Sequence, residues 1–73
     1  MSEIELRSDV TGSVWRVLLK EGDAVDEDQS LMILESMKME IPLAASESGR
    51  IARILVQEGD AIREGQVVAV LEV

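Results

Sequence analysis

The sequence predicts an all-β fold, closed as a small sandwich or flattened barrel with pseudo-two-fold symmetry. Three observations lead there. The 73-residue chain contains the same unit twice. Each copy consists of short runs rich in Val, Ile and Leu, cut by Gly-Asp turns, which is the pattern of strands. No segment carries a sustained helical period with caps at its ends.

The repeat is read directly. GSVWRVLLKEGDAVDEDQSLMILE, Gly12 to Glu35, matches GRIARILVQEGDAIREGQVVAVLE, Gly49 to Glu72, at a constant offset of 37 positions without a gap. Gly12/Gly49, Arg16/Arg53, Leu18/Leu55, the EGDA blocks, Glu27/Glu64, Gln29/Gln66 and Glu35/Glu72 are identical, and most other pairs are conservative. So long a match denotes two copies of one supersecondary unit.

Within each copy the elements follow in order. Val14–Leu19 and Ile51–Val56 are β-branched and bounded by glycine, so they read as strands. Their apolar positions Val14, Val17, Leu19 and Ile51, Ile54, Val56 are spaced three then two. Strict alternation breaks at the same place twice, as a bulge would break it. Gly22-Asp23 and Gly59-Asp60 are turn signals, and the EGDA blocks around them are scaffold. Leu31–Leu34 and Val67–Leu71 are apolar runs of strand length. Two such units close best when each half supplies strands to both sheets, which leaves little exposed edge.

Between the copies lies SMKMEIPLAASES, Ser36 to Ser48, which is read as the part outside the repeat. It joins the strand ending at Glu35 to a second extended stretch, Glu40–Ala45. Met37-Lys38 stands at the turning point, which puts Lys38 at the tip of a β-hairpin and on the axis relating the copies. Neither residue is the Asn or Gly that a type I′ turn favours, so the turn carries a local strain. Pro42 suits an edge strand or a bulge. Lys20, the other lysine, faces Gln57 in the repeat, so its site accepts a neutral residue. Lys38 has no such substitute. A turn chosen for solubility would not flank its charge with Met37 and Met39, two flexible thioethers suited to recognition; burial of both beneath the hairpin is the alternative.

Composition excludes several functions. The chain has no Cys and no His, which removes thiol nucleophiles, imidazole acid–base catalysis and the usual zinc sites. Fifteen acidic residues oppose seven basic ones, for a formal charge of −8. Nucleic acid and anionic membranes reward the opposite balance, whereas a protein with a basic docking face fits. The carboxylates read as a solvated face, with no catalytic residue and no metal site among them. MSEIELRSDV is not a signal peptide, and no stretch approaches the roughly 18 apolar residues of a membrane helix. The expectation is one domain over residues 1–73, cytoplasmic, and monomeric because its symmetry is satisfied within one chain. Trp15, the only aromatic, aligns with Ala52; it shields the sheet or fills one side of the core, with a partner anchor as the alternative.

The run ESMKME, Glu35 to Glu40, resembles the modification motif of biotinyl domains, whose usual form is Glu-Ala-Met-Lys-Met-Glu. The Gly-x-Val start, the Glu-Gly-Asp blocks and the final Gly-Gln resemble that family too, from about Val10 to the end. The chain is most similar to free-standing biotin/lipoyl attachment proteins. The resemblance implies a barrel-sandwich hybrid of two four-stranded antiparallel sheets, with Lys38 biotinylated by a separate ATP-using biotin protein ligase. It implies that Met37 and Met39 are read by that ligase and that Glu35, Ser36 and Glu40 flank the motif. Ser36 departs from the usual Ala, Asp28 from the glycine seen at Gly65, and Val10-Thr11 and Glu47-Ser48 from the usual Ala-Pro pairs. No insertion resembles the protruding thumb of some acetyl-CoA carboxylase carrier subunits.

The chemistry agrees with a carrier. A lysine ammonium with the ordinary pKa of about 10.4 is almost never nucleophilic at neutral pH, so a ligase must supply the activated acyl group and the base. Once modified, the side chain is the stem of a mobile arm that raises the local cofactor concentration at two active sites of a carboxylase. A lipoyl carrier, loaded by a lipoate ligase and serving acyl transfer in dehydrogenase complexes, is the alternative. Lipoyl domains more often show Asp-Lys-Ala at the tip. An unmodified binding module is the third reading.

Overall fold

The computed structural model describes residues 2–73. Eight strands follow one another along them: β1 (Glu3–Arg7), β2 (Gly12–Val17), β3 (Ala24–Val25), β4 (Ser30–Ser36), β5 (Met39–Ala44), β6 (Gly49–Ile54), β7 (Ala61–Ile62) and β8 (Val67–Glu72). They form two four-stranded sheets, ordered β1-β8-β6-β3 and β5-β4-β2-β7, and every pairing is antiparallel. Each sheet takes strands from both copies, as the repeat requires. Among the described residues no helix is long and apolar enough to cross a membrane.

The offset of 37 carries one sheet onto the other, strand for strand. It carries β1 onto β5 as well, where Glu3, Ile4 and Leu6 match Glu40, Ile41 and Leu43, so the repeat reaches into the segment read as lying outside it. The bulge stands where the apolar spacing puts it. Register shifts between Val14 and Arg16 against β4, and between Ile51 and Arg53 against β8, leaving Trp15 and Ala52 as the extra residues. Both strands end two residues earlier than their composition suggests. Beyond them Leu18 and Leu55 donate single N–H bonds to Leu31 and Val68 at 2.9 and 3.0 Å, and their side chains are exposed.

The EGDA blocks hold the two copies together. Glu58 Oε2 accepts the Val17 N–H at 2.9 Å, and Glu21 Oε2 accepts the Ile54 N–H at 3.0 Å, so each copy's glutamate binds the other copy's bulged strand. Asp23 and Asp60 cap their own turns by accepting from the Lys20 and Gln57 N–H groups at 2.9 and 2.8 Å. Gly22 and Gly59 supply the positive φ of those turns, 93° in each. Both carboxylates of each block therefore satisfy backbone donors, which explains why the two copies are identical there.

The core lies between the sheets and is centred on β4 and β8. Leu31, Met32 and Leu34 are buried in β4, with Val68, Ala69 and Leu71 in β8, and Val14, Val25, Ile51 and Ile62 are among the residues packed with them. Each such leucine or isoleucine contributes about 1.5–3 kcal/mol of burial. Trp15 is not part of this cluster: it stands 41% exposed on the bulge, with the Arg16 guanidinium 4.8 Å from its ring centroid. Alternation from the buried Val14 already turns Trp15 outward, and the bulge brings Val17 back to the core side. Pro42 lies on β5, an outer strand, opposite Ile33, where a missing N–H costs no ladder bond on the open side.

Candidate functional site: the β4–β5 turn

The ladder of β4 and β5 runs Leu34↔Ile41, Glu35↔Glu40, Ser36↔Met39, and leaves Met37 and Lys38 alone between the strands. Their φ angles are +54° and +66°, the left-handed region at both central positions, as a type I′ turn demands. Two-residue turns of the primed types match the twist of the strands, and this ladder imposes the type I′ conformation on two ordinary residues. Each bears a cost of about 1–2 kcal/mol.

Three features hold this turn in place. The last cross-strand pair closes directly beneath it. Ser36 Oγ donates to the Thr11 carbonyl at 2.9 Å and ties the end of β4 to the start of β2. Gly12 lies so close under the Glu35 carbonyl that a Cβ there would overlap it. Gly49 stands in the same relation to Glu72, which accounts for the paired glycines. Thr11 is a contributor that the sequence reading passes over. Its hydroxyl accepts the Glu64 N–H at 3.0 Å, just as Ser48 Oγ accepts that of Glu27. The signal is present in the sequence as two hydroxyl residues at the repeat offset.

The turn does not lie on the axis relating the copies. The repeat offset carries the pair Ser36–Met39 onto Val73–Ser2, which exchange N–H···O bonds of 2.8 and 3.0 Å. The symmetry mate of the turn is thus the pair of chain ends. A residue on the axis would map onto itself, and Lys38 does not.

The side chains of the turn face water. Met37 is 88% and Met39 58% exposed, which excludes their burial beneath the hairpin, and Lys38 between them is exposed as well. The two ion pairs among the described residues, Arg7–Glu5 and Arg53–Glu3, leave Lys38 uninvolved. Glu35 and Glu40 oppose each other just below the turn, both exposed. Their counterparts Glu72 and Glu3 also pair, but there Arg53 approaches Glu3 at 3.8 Å. The equivalent Arg16 is held over Trp15 instead, so the acidic pair below Lys38 lacks that arginine. Lys20 is exposed in a repeat turn whose backbone bonds Gln57 reproduces in the other copy. Ser36 is half-buried against Thr11.

This arrangement presents one primary amine on a rigid two-residue turn between apolar side chains. A family model described as biotin-requiring enzyme matches residues 5–71. The chain belongs to the biotin/lipoyl attachment family. Among its relatives, the biotinylated protein TB7.3 homolog of Mycolicibacterium smegmatis is 47% identical over 38 residues, 52% of this chain and 54% of that one. The biotin/lipoyl attachment protein of Bacillus subtilis is 52% identical over 33 residues, 45% of each chain. The matched segments thus span about half the length of these relatives. Among solved structures, urea carboxylase of Kluyveromyces lactis contains a region that superposes with a TM-score of 0.93 at 33% identity, covering 99% of this chain and 6% of that one. The attachment fold therefore extends over nearly all of the described chain.

Proposed function

We propose that this attachment domain is a biotin carrier, biotinylated on Lys38 by a separate ATP-using biotin protein ligase and serving a biotin-dependent carboxylase. The observation that carries this reading is the exposed Lys38 amine on a strained two-residue turn, flanked by the exposed Met37 and Met39. The residues fit a covalent biotin: its carboxyl group needs an accessible primary amine, and Lys38 is exposed and outside both ion pairs of the described residues. Biotin, once attached, supplies the ring that holds a carboxyl group, chemistry beyond any side chain present here. The domain is a carrier and not an enzyme. Met37 and Met39 give the ligase apolar contacts on both sides of the amine, Glu35 and Glu40 are the acidic flank, and Ser36 fixes the base of the turn.

The rigid sheets and the mobile stem divide the work. The strands keep the turn in one orientation for the ligase, and the lysine arm then lets the cofactor reach two active sites at high local concentration. Amide formation removes one positive charge from a chain already at −8. In this reading the sheets close as a barrel-sandwich hybrid and residues 1–73 act as one domain, a cytoplasmic monomer whose partners are the ligase and the carboxylase subunits. Lipoate on the same lysine is the second reading, favoured by the name of the Bacillus subtilis relative, a biotin/lipoyl attachment protein. The test is to offer the protein to a biotin protein ligase with biotin and ATP, beside Lys38→Arg and Lys20→Arg. Labelling that survives in Lys20→Arg and vanishes in Lys38→Arg supports the assignment; the reverse pattern transfers the site to Lys20.

A further inference from the structure

Four methionines occur in the chain, and the fold sorts three of them sharply. Met32, in β4, is 0% exposed within the core, whereas Met37 and Met39 are 88% and 58% exposed on either side of Lys38. Met1 lies outside the described residues. The backbone that carries the exposed pair is held in place. Met37 is fixed in the turn with φ +54°, and Met39 is held by its pairing with Ser36, which Thr11 anchors in turn. Their thioethers therefore stay in water beside the amine.

From this placement we infer that Met37 and Met39 are oxidation sites, and that their sulfoxides block loading of Lys38 until a methionine sulfoxide reductase removes them. The inference rests on the carrier reading. A sulfur lone pair attacks one oxygen of hydrogen peroxide; the O–O bond breaks as the S–O bond forms, and the departing hydroxide takes the proton from the transferred oxygen. The sulfur is oxidised by two electrons and the peroxide is reduced to water. Each step converts a soft apolar collar residue into a strongly polar, chiral one. A ligase surface shaped for a thioether then receives an S=O group with no matched donor, and its binding weakens. Met32 is withheld from the reagent by the core, so the fold survives and the lesion is confined to the turn. The two sulfoxides are reversible, which makes the turn a sensor of peroxide for the unloaded protein.

The experiment treats the unmodified protein with hydrogen peroxide, maps the oxidised peptides, and then measures initial biotinylation rates with biotin protein ligase, biotin and ATP. One oxygen is expected on each of Met37 and Met39 well before any on Met32. The ligase kcat/KM should fall about tenfold or more, the loss that follows when a polar group enters a contact without a hydrogen-bond partner. Methionine sulfoxide reductases A and B, supplied with a dithiol that is oxidised to its disulfide as each sulfoxide oxygen leaves as water, should restore it. The double variant Met37→Leu, Met39→Leu should show the same labelling rate before and after peroxide, whatever that rate is. Oxidation of Met32 at the pace of the other two, an unchanged rate for the oxidised protein, or a peroxide effect that persists in the double variant would each overturn the inference. Failure of the carrier reading itself is seen separately, as untreated protein that the ligase does not label.

Discussion

Replacing Met37-Lys38 with Asn-Gly should make the domain more stable while destroying its use as a carrier. The two residues are held at φ +54° and +66°, and an ordinary side chain in that region costs about 1–2 kcal/mol, so the native turn carries roughly 2–4 kcal/mol of strain. Little is lost by removing the side chains: Met37 is 88% exposed, and Lys38 is absent from both ion pairs of the described residues. Asn and Gly accept the left-handed region, although glycine returns roughly 0.5–1 kcal/mol through the greater freedom of the unfolded chain. The net gain is about 1–3.5 kcal/mol, or roughly 4–28 °C in Tm for a domain of this size. Thermal and urea unfolding followed by circular dichroism, with the single Trp15 as an independent probe, measure it if the two signals coincide. Lys38→Gly alone should give roughly half the gain. A Tm equal to or below that of the parent would refute the argument that the turn is strained and that the ladder imposes its shape.

Further outcomes follow from the same contacts. Gly12→Ala should destabilise by about 1–3 kcal/mol, because its Cβ overlaps the Glu35 carbonyl beneath the turn, and should slow labelling of Lys38 as well; Gly49→Ala, at the symmetric site, should destabilise similarly but leave labelling of the folded protein unchanged. Glu21→Ala and Glu58→Ala each remove the acceptor of a backbone N–H in the other copy and should each cost about 1 kcal/mol in urea unfolding. Gly65→Ala, at φ +86°, should cost about 1 kcal/mol, whereas Asp28→Gly, at φ +69°, should be neutral or stabilising. Met37→Asp with Met39→Ala should lower kcat/KM for biotin protein ligase and favour lipoate ligase; unchanged preference would remove the methionines from recognition.

What the sequence shows of this fold follows from what repeats. The copies are visible because Glu21, Asp23 and Gly22 in one, and Glu58, Asp60 and Gly59 in the other, do the same geometric work and cannot drift apart. The bulge is visible because it shifts the phase of Val14, Val17 and Leu19. β1 is easily passed over: EIELR is an outer strand with one buried side chain, Leu6, and its likeness to β5 is confined to Glu3/Glu40, Ile4/Ile41 and Leu6/Leu43. β3 and β7 are two residues each, too short to carry a period. Trp15 reads as a shield over the sheet or a filler of one side of the core, and the second of these fails because alternation from the buried Val14 leaves it 41% exposed on the outer face. At the site, Lys38 and its methionines stand out by being unrepeated, and the strain of the turn follows from their not being Asn or Gly. The supports do not stand out, since the Ser36–Thr11 bond joins residues 25 positions apart that nothing in the chain pairs.

The central claim is that Lys38 is the attachment point for biotin. Intact mass of the protein isolated from its own host, followed by mapping of the modified peptide, tests it most directly. The account predicts a single biotinyl increment on the peptide bearing Lys38, absent from Lys38→Arg, which keeps the parent's unfolding curve. A lipoyl increment on Lys38 would keep the site and reassign the cofactor. An increment on Lys20, or a chain left unmodified by its host and by both ligases in vitro, would contradict the account.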